Sequence, residues 1–220
     1  MINLNRVTII CIDGLNPELG LKSIKYSTKK INFKKNILIS HTKPNNIPNN
    51  IDFIEKKSLS HESYSIFVLY ELYKYVETDF CLITHSDGFV INPHLWDENF
   101  LNYDYIGAPW PKNNFYGNNR VGNGGFSLRS KKFIDLCRKI PCKDNEDAAC
   151  CIYYKSFLEK HGCKYAPVEV AMKFSLESEI PDCDYDLNNS FGFHGKGIVK
   201  SVHGNHGKQF EEKIRLLGGI

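Results

Sequence analysis

The chain has 220 residues, 42% hydrophobic and 24% charged, with 28 lysines and arginines against 25 acids and a formal net charge of +3. That length can bury a sizeable core in one domain, and so small a net charge gives no support to nucleic-acid binding. No apolar run reaches the ~20 residues of a membrane span, and Val7 to Ile12 is too short for a signal-peptide core, so a cytoplasmic location is expected.

In chain order, Val7 to Ile12 reads as a β-branched strand that ends at Asp13-Gly14. Leu19 to Lys30 has weak helical spacing, and Asn36 to Ile39 is a second strand ending at Ser40-His41-Thr42. Lys22, Lys25, Lys29, Lys30, Lys34 and Lys35 crowd this span. They read first as a solvated face and second as a surface for an anionic ligand or a peripheral membrane contact. Asn45 to Asn50, with Pro44 and Pro48, is loop. Ser60 can cap a helix whose first turn holds Glu62 and whose apolar face carries Tyr64, Phe67, Val68, Leu72, Tyr75 and Val76.

Phe80 to Val90 begins as an uninterrupted apolar run and contains His85-Ser86-Asp87-Gly88, which reads as a buried strand with its polar residues at the carboxyl end. Open α/β sheets bind ligands at that end, and a carboxylate delivered there can hold a divalent cation against phosphate oxygens. An ordinary Asp-Gly turn is the alternative. From Asn92 to Asn119 the pattern is irregular. Gly122, Gly124 and Gly125 then permit close approach to the backbone, either as the wall of a pocket or as a tight turn. Asn113 to Asn119 is expected as a mobile rim of such a pocket. Neither P-loop nor Rossmann glycine spacing is present.

Gly125 to Leu128 reads as a short strand and Ser130 to Ile140 as a helix, followed by a second helix from Asp144 to His161 that stops at Gly162. Asp144 with Asp147 resembles a capping box, while Glu146 or Asp147 can also serve as a general base at a pocket mouth. Lys164 to Val168 is expected to return as a strand, and the tail from Glu177 to be mostly loop. In that tail His194, His203 and His206 each precede a glycine, which suits loop-borne metal ligands, with His194 favoured for its flanking Phe191 and Phe193. The eight cysteines contain no C-x-x-C pair, so free thiols are expected rather than zinc or disulfides. Strands alternating with helices predict a mainly parallel sheet covered on both faces.

These landmarks carry a resemblance. A strand-end Asp, a glycine loop, a Glu-Asp at a helix start and a late His, in that order, resemble GT-A-type glycosyltransferases. The runs His-Ser-Asp-Gly-Phe-Val-Ile-Asn-Pro, Tyr-Asp-Tyr-Ile-Gly-Ala-Pro-Trp and Val-Gly-Asn-Gly-Gly-Phe-Ser-Leu-Arg-Ser are similar to a small GT-A-like family known as a domain of unknown function, from about Ser63 to Gly195. The resemblance implies a single-domain, Rossmann-like α/β fold over 1–220, with a nucleotide-binding half over 1–90 and an acceptor half and C-terminal closing segment over 91–220. It implies that Asp87 and His194 hold Mn²⁺ or Mg²⁺ on the donor diphosphate, with His85 where the first Asp of an Asp-x-Asp motif would stand. It further implies that Asp13, His85, Ser86, Gly124 and Gly125 contact a nucleotide-sugar donor, and that Asp147, with Glu146 beside it, deprotonates an acceptor hydroxyl. Trp110 and Tyr116 are expected to stack on acceptor sugars, with Trp96 in the core. The reading is an inverting, metal-dependent glycosyltransferase acting on a glycan or other hydroxyl acceptor. A nucleotidyltransferase and a non-catalytic sugar-nucleotide or glycan-binding module are the alternatives.

Overall fold

In the computed structural model, residues 1–195 other than 58, 114 and 185 are described. Strand β1 (Ile2–Asp13) is joined through helix α1 (Pro17–Thr28) to β2 (Ile31–Ser40), and β3 (Asp52–Glu55) follows. Helix α2 (His61–Tyr70) leads through a 3₁₀ turn at Leu72–Tyr75 to β4 (Phe80–Thr84). Further 3₁₀ turns at Pro93–Leu95 and Glu98–Asn102 precede the short β5 (Tyr105–Ile106), then β6 (Ser127–Ser130) and α3 (Lys131–Cys137). The helix starting at α4 (Glu146–Ala148) passes through a π segment at Ala149–Tyr153 into α5 (Lys155–Lys160). Helix α6 (Val168–Phe174), β7 (Ser175–Leu176), a 3₁₀ turn at Leu187–Asn189 and β8 (Gly192–Phe193) complete the described chain.

The sheet order is β3-β2-β1-β4-β6-β5, with the first four strands parallel, β6 antiparallel to β4, and β5 antiparallel to β6. Alternation along the strands separates two cores. Ile10, Ile12, Ile37, Ile39, Cys81 and Ile83 face α2 and α3, while Val7, Ile9, Leu82 and Leu128 pack with Phe126, Phe174 and Phe191 on the other side. Helix α1 presses Leu21 and Ile24 onto Cys11 and Leu38. Cys11 pairs with Thr84 across β1 and β4, so Asp13 and the residues after Thr84 emerge at one sheet edge.

The strand from Phe80 ends at Thr84, ahead of Asp87-Gly88 as expected, and His85 and Gly88 bridge to each other and fold Ser86-Asp87 into a turn. Other expected elements shift. The long helix from Asp144 is broken. Tyr154 donates its N–H to Ala149, and Tyr165 Oη takes the Cys150 carbonyl at 2.7 Å. Its cap is Asn145, whose side chain accepts from Ala148, and not an Asp144–Asp147 box; Asp144 sits at φ 58°. Lys164 to Val168 is not a strand: only Tyr165 bridges to Tyr105, and α6 begins at Val168 to place Ala171 and Phe174 in the core. Ser60 caps α2 as expected, accepting from Ser63 N at 3.2 Å. All eight cysteines are free thiols.

Candidate functional site

Residues from four separated stretches meet at the carboxyl edge of β4. The turn after Thr84 presents His85 and Asp87, and the segment through β8 brings His194 back against them. Backbone bonds fix this return: His194 N donates to Leu176 O and Gly195 N to Asp87 O, both at 2.9 Å. Phe193 and Phe89 pack edge-to-face beneath, with ring centroids 4.8 Å apart. One ligand atom each from His85, Asp87 and His194 lies within 4.8 Å of the others, and all three side chains are half-buried.

The surroundings set the state of each imidazole. His85 Nε2 shares a 2.8 Å hydrogen bond with Tyr64 Oη. Burial, aided by the neighbouring His194, pushes the His85 pKa down to about 3, so the ring is neutral at ordinary pH. For His194 burial also opposes charge, but the Glu177 hydrogen bond and Asp87 outweigh it and hold its pKa above the usual value. His194 Nδ1 lies 3.3 Å from Glu177 Oε1, and Nε2 lies 3.5 Å from Asp87 Oδ1. Glu177 thus orients the ring with Nε2 inward, as an outer carboxylate does for a metal-binding histidine.

The glycine loop forms the opposite wall. A Cβ on Gly125 would lie 2.0 Å from His194 Nε2, and one on Gly124 would lie 1.7 Å from Glu146 Oε1, so both positions require glycine for close approach. Gly124 N donates to Asp147 Oδ2 at 3.1 Å, while Asp147 Oδ1 accepts from Ala148 N at 2.8 Å. Burial, then the adjacent Glu146, raises the Asp147 pKa to about 6. Glu146 itself faces away into a bidentate pair with Arg129, at 2.8 and 3.0 Å, with both side chains almost fully buried. Arg129 Nε continues to Ser127 Oγ, which donates to Gly124 O. Glu146 therefore braces the loop, and Asp147 is the acid turned toward it.

The fold brings His85, Ser86, Asp87, Gly124, Gly125, Asp147 and His194 to one region. Asp13 stands one strand over and is 7% exposed; its Oδ1 accepts from Leu15 N and Asn16 N, turning the chain into α1. Trp110 does not offer an open face. It is buried on Gly122 and stacks on Tyr116 with centroids 4.5 Å apart. His203 and His206, and the part of the closing segment beyond Gly195, lie outside the described residues. The sequence alone gives no site role to Arg129, Tyr64 or Glu177. An arginine four residues after Gly125, inside an apolar strand pattern, is the one available signal; Tyr64 reads as part of an apolar helix face, and nothing local marks Glu177. A cavity of about 620 Å³ lined by Leu95, Phe100, Met172 and Glu169 shares none of these residues.

Gly125→Ala is expected to displace His194 and to lower affinity for a divalent cation at least tenfold, with some loss of global stability because Gly125 is buried. Cation titration followed by thermal melting of the variant checks both parts. Wild-type affinity would show that the ring can move aside without consequence.

Residues 48–194 match the model of a family described as "Protein of unknown function (DUF5672)". The chain belongs to this family. No curated protein matches it in sequence. Among solved structures, an active-site mutant of LgtC superposes with TM-score 0.52 and 15% identity over 97% of each chain. The galactosyltransferase LgtC in complex with donor and acceptor sugar analogs aligns with the same score, identity and coverage. The DUF5672 chain thus has the GT-A glycosyltransferase fold, as its motifs implied; at this identity the likeness establishes fold alone. No described helix is long and apolar enough to cross a membrane.

Proposed function

We propose that this chain is an inverting glycosyltransferase that moves a sugar from a nucleotide-diphosphate donor to a hydroxyl of a glycan or other acceptor, using bound Mn²⁺ or Mg²⁺. The observation that carries the reading is the Gly124-Gly125 loop, which lies against Asp147 on one side and His194 of the His85–Asp87–His194 cluster on the other. A cation cluster and a carboxylate with a raised pKa thus share one short wall. The buried Asn123 amide in the same loop has no partner for Nδ2 among the described residues, which fits a wall that meets a polar ligand.

The donor set fits a divalent ion. Two neutral-capable imidazoles and a carboxylate favour Mn²⁺ or another transition ion over Mg²⁺, which prefers oxygen ligands. His85, Asp87 and His194 would hold it. When bound, such an ion offsets the negative charge that develops on a departing diphosphate. Ser86 and Gly125 would line the donor, with residues 1–90 forming the nucleotide half and 91–220 the acceptor half. The Asp147 carboxylate takes the acceptor's hydroxyl proton as that oxygen attacks the anomeric carbon; the bond from that carbon to the diphosphate breaks on the opposite face. Arg129 and Glu146 keep the loop and Asp147 in place for this step.

Thermal shift with UDP or GDP and Mn²⁺ tests the reading at Asp87. The wild type should be stabilised most when nucleotide and cation are both present. Asp87→Asn should lose that stabilisation while its melting temperature without ligand stays close to wild type, since the side chain is partly exposed. Undiminished Mn²⁺-dependent stabilisation in the variant would return Asp87 to the role of a turn residue.

A further inference from the structure

We infer that the outer face of α1, with the two leucines at its amino end, docks on an anionic phospholipid bilayer. Between Leu19 and Ile51 the chain carries Lys22, Lys25, Lys29, Lys30, Lys34, Lys35 and Lys43 and no acid, although the whole chain is nearly balanced in charge. The helix sorts these residues. Gly20, Leu21, Ser23, Ile24 and Ser27 are buried, while Leu19, Lys22, Lys25 and Lys29 recur at three- and four-residue spacing on the exposed side. Of the seven lysines only Lys35 has an ion-pair partner among the described residues, in Asp52 and Glu77. The one acid of α1, Glu18, is engaged by the Asn45 N–H at 2.9 Å.

Charge alone would describe a solvated face. Two large apolar side chains stand with it, however: Leu15 is 81% and Leu19 43% exposed, at the end where the lysine stripe begins. An aqueous surface gives nothing for that exposure, whereas the interface of a bilayer accepts leucine into its acyl boundary and lysine among its phosphates. The negative potential of anionic lipid then complements a stripe free of competing acids.

The face is also rigidly joined to the site. On its buried side Ser23 Oγ donates to Gly88 O at 3.2 Å, Ser27 Oγ accepts from Val90 N at 3.1 Å, and Tyr26 packs on Phe89. Leu15 follows Asp13 at the carboxyl edge of the sheet. The Asp87 turn therefore packs, through Gly88 and Phe89, on the side of α1 opposite the lysines.

Co-sedimentation of the full chain with phosphatidylcholine vesicles, with and without phosphatidylserine, tests this docking. No donor or metal is added, so the result stands apart from the proposed transfer reaction. Binding is expected only with phosphatidylserine and should vanish near 1 M salt, where the screening length falls to about 3 Å. Lys22→Gln/Lys25→Gln/Lys29→Gln should lower the partition coefficient roughly a hundredfold, and Leu15→Ser/Leu19→Ser roughly tenfold, with melting temperatures near wild type. The equal-charge control Lys139→Gln/Lys143→Gln/Lys160→Gln should change it only a few-fold. Absence of vesicle binding, equal binding to phosphatidylcholine alone, or an equal loss in the control would each overturn the docking assignment.

Discussion

Asp147→Asn is expected to lower sugar transfer by about 10²–10⁴-fold while leaving Mn²⁺-dependent nucleotide binding close to wild type. The amide keeps the size of the side chain and an oxygen for the Gly124 N–H, but it cannot take a proton from the acceptor. The pH dependence adds a second readout. Because burial and Glu146 raise the Asp147 pKa to about 6, the base is lost as pH falls through that value, and wild-type transfer should drop there by up to tenfold per pH unit. Stability moves the other way. A carboxyl whose folded pKa lies above its ordinary 3.8 binds more protons in the folded state, so its contribution is largest below that value and disappears as pH rises through about 6. Asp147→Asn should therefore melt no lower than wild type at neutral pH. Released nucleotide and product anomeric configuration, followed across pH, provide the check. A variant that transfers normally would remove Asp147 as the base, and parallel losses of stability and activity would leave it a packing residue.

Glu146→Gln is expected to destabilise the fold by about 3–5 kcal/mol, because it leaves the Arg129 guanidinium buried without its counter-charge. The pair is 2% and 3% exposed, so water offers little compensation. Denaturant unfolding at neutral pH measures the loss. Replacing both partners with apolar residues, as in Arg129→Met/Glu146→Leu, should recover much of it, since no uncompensated charge remains. The double variant is still expected to transfer poorly, because Arg129 Nε no longer reaches Ser127 Oγ and the loop bearing Gly124 loses its brace. A Glu146→Gln protein of wild-type stability that lacks transfer would instead assign the proton acceptor to Glu146.

What the sequence determined by itself was local in cause. The apolar runs at Val7 and Phe80, the Ser60 cap and the glycine run are each set by neighbours within a few residues, and their strands, helix and loop are where those signals put them. The family resemblance rested on such runs, and the fold agrees with it. Where long-range contacts compete, local pattern failed. The aromatic stretch through Tyr153 and Tyr154 reads as helix, but the Tyr165 hydroxyl captures a carbonyl there and the helix becomes π-wound. Lys164 to Val168 reads as a strand, yet only Tyr165 bridges to the sheet, and α6 begins at Val168 to place Ala171 and Phe174 in the core. The site depended on the tertiary structure most of all. His194 meets Asp87 across more than a hundred residues, and Tyr64 turns His85 from another element. Glu146 and Asp147 are neighbours that no local rule separates. Both pack on Gly124, but only the Arg129 guanidinium assigns the first to a buried ion pair, while the Gly124 N–H bonds the second, because side chains one residue apart on a helix point in different directions.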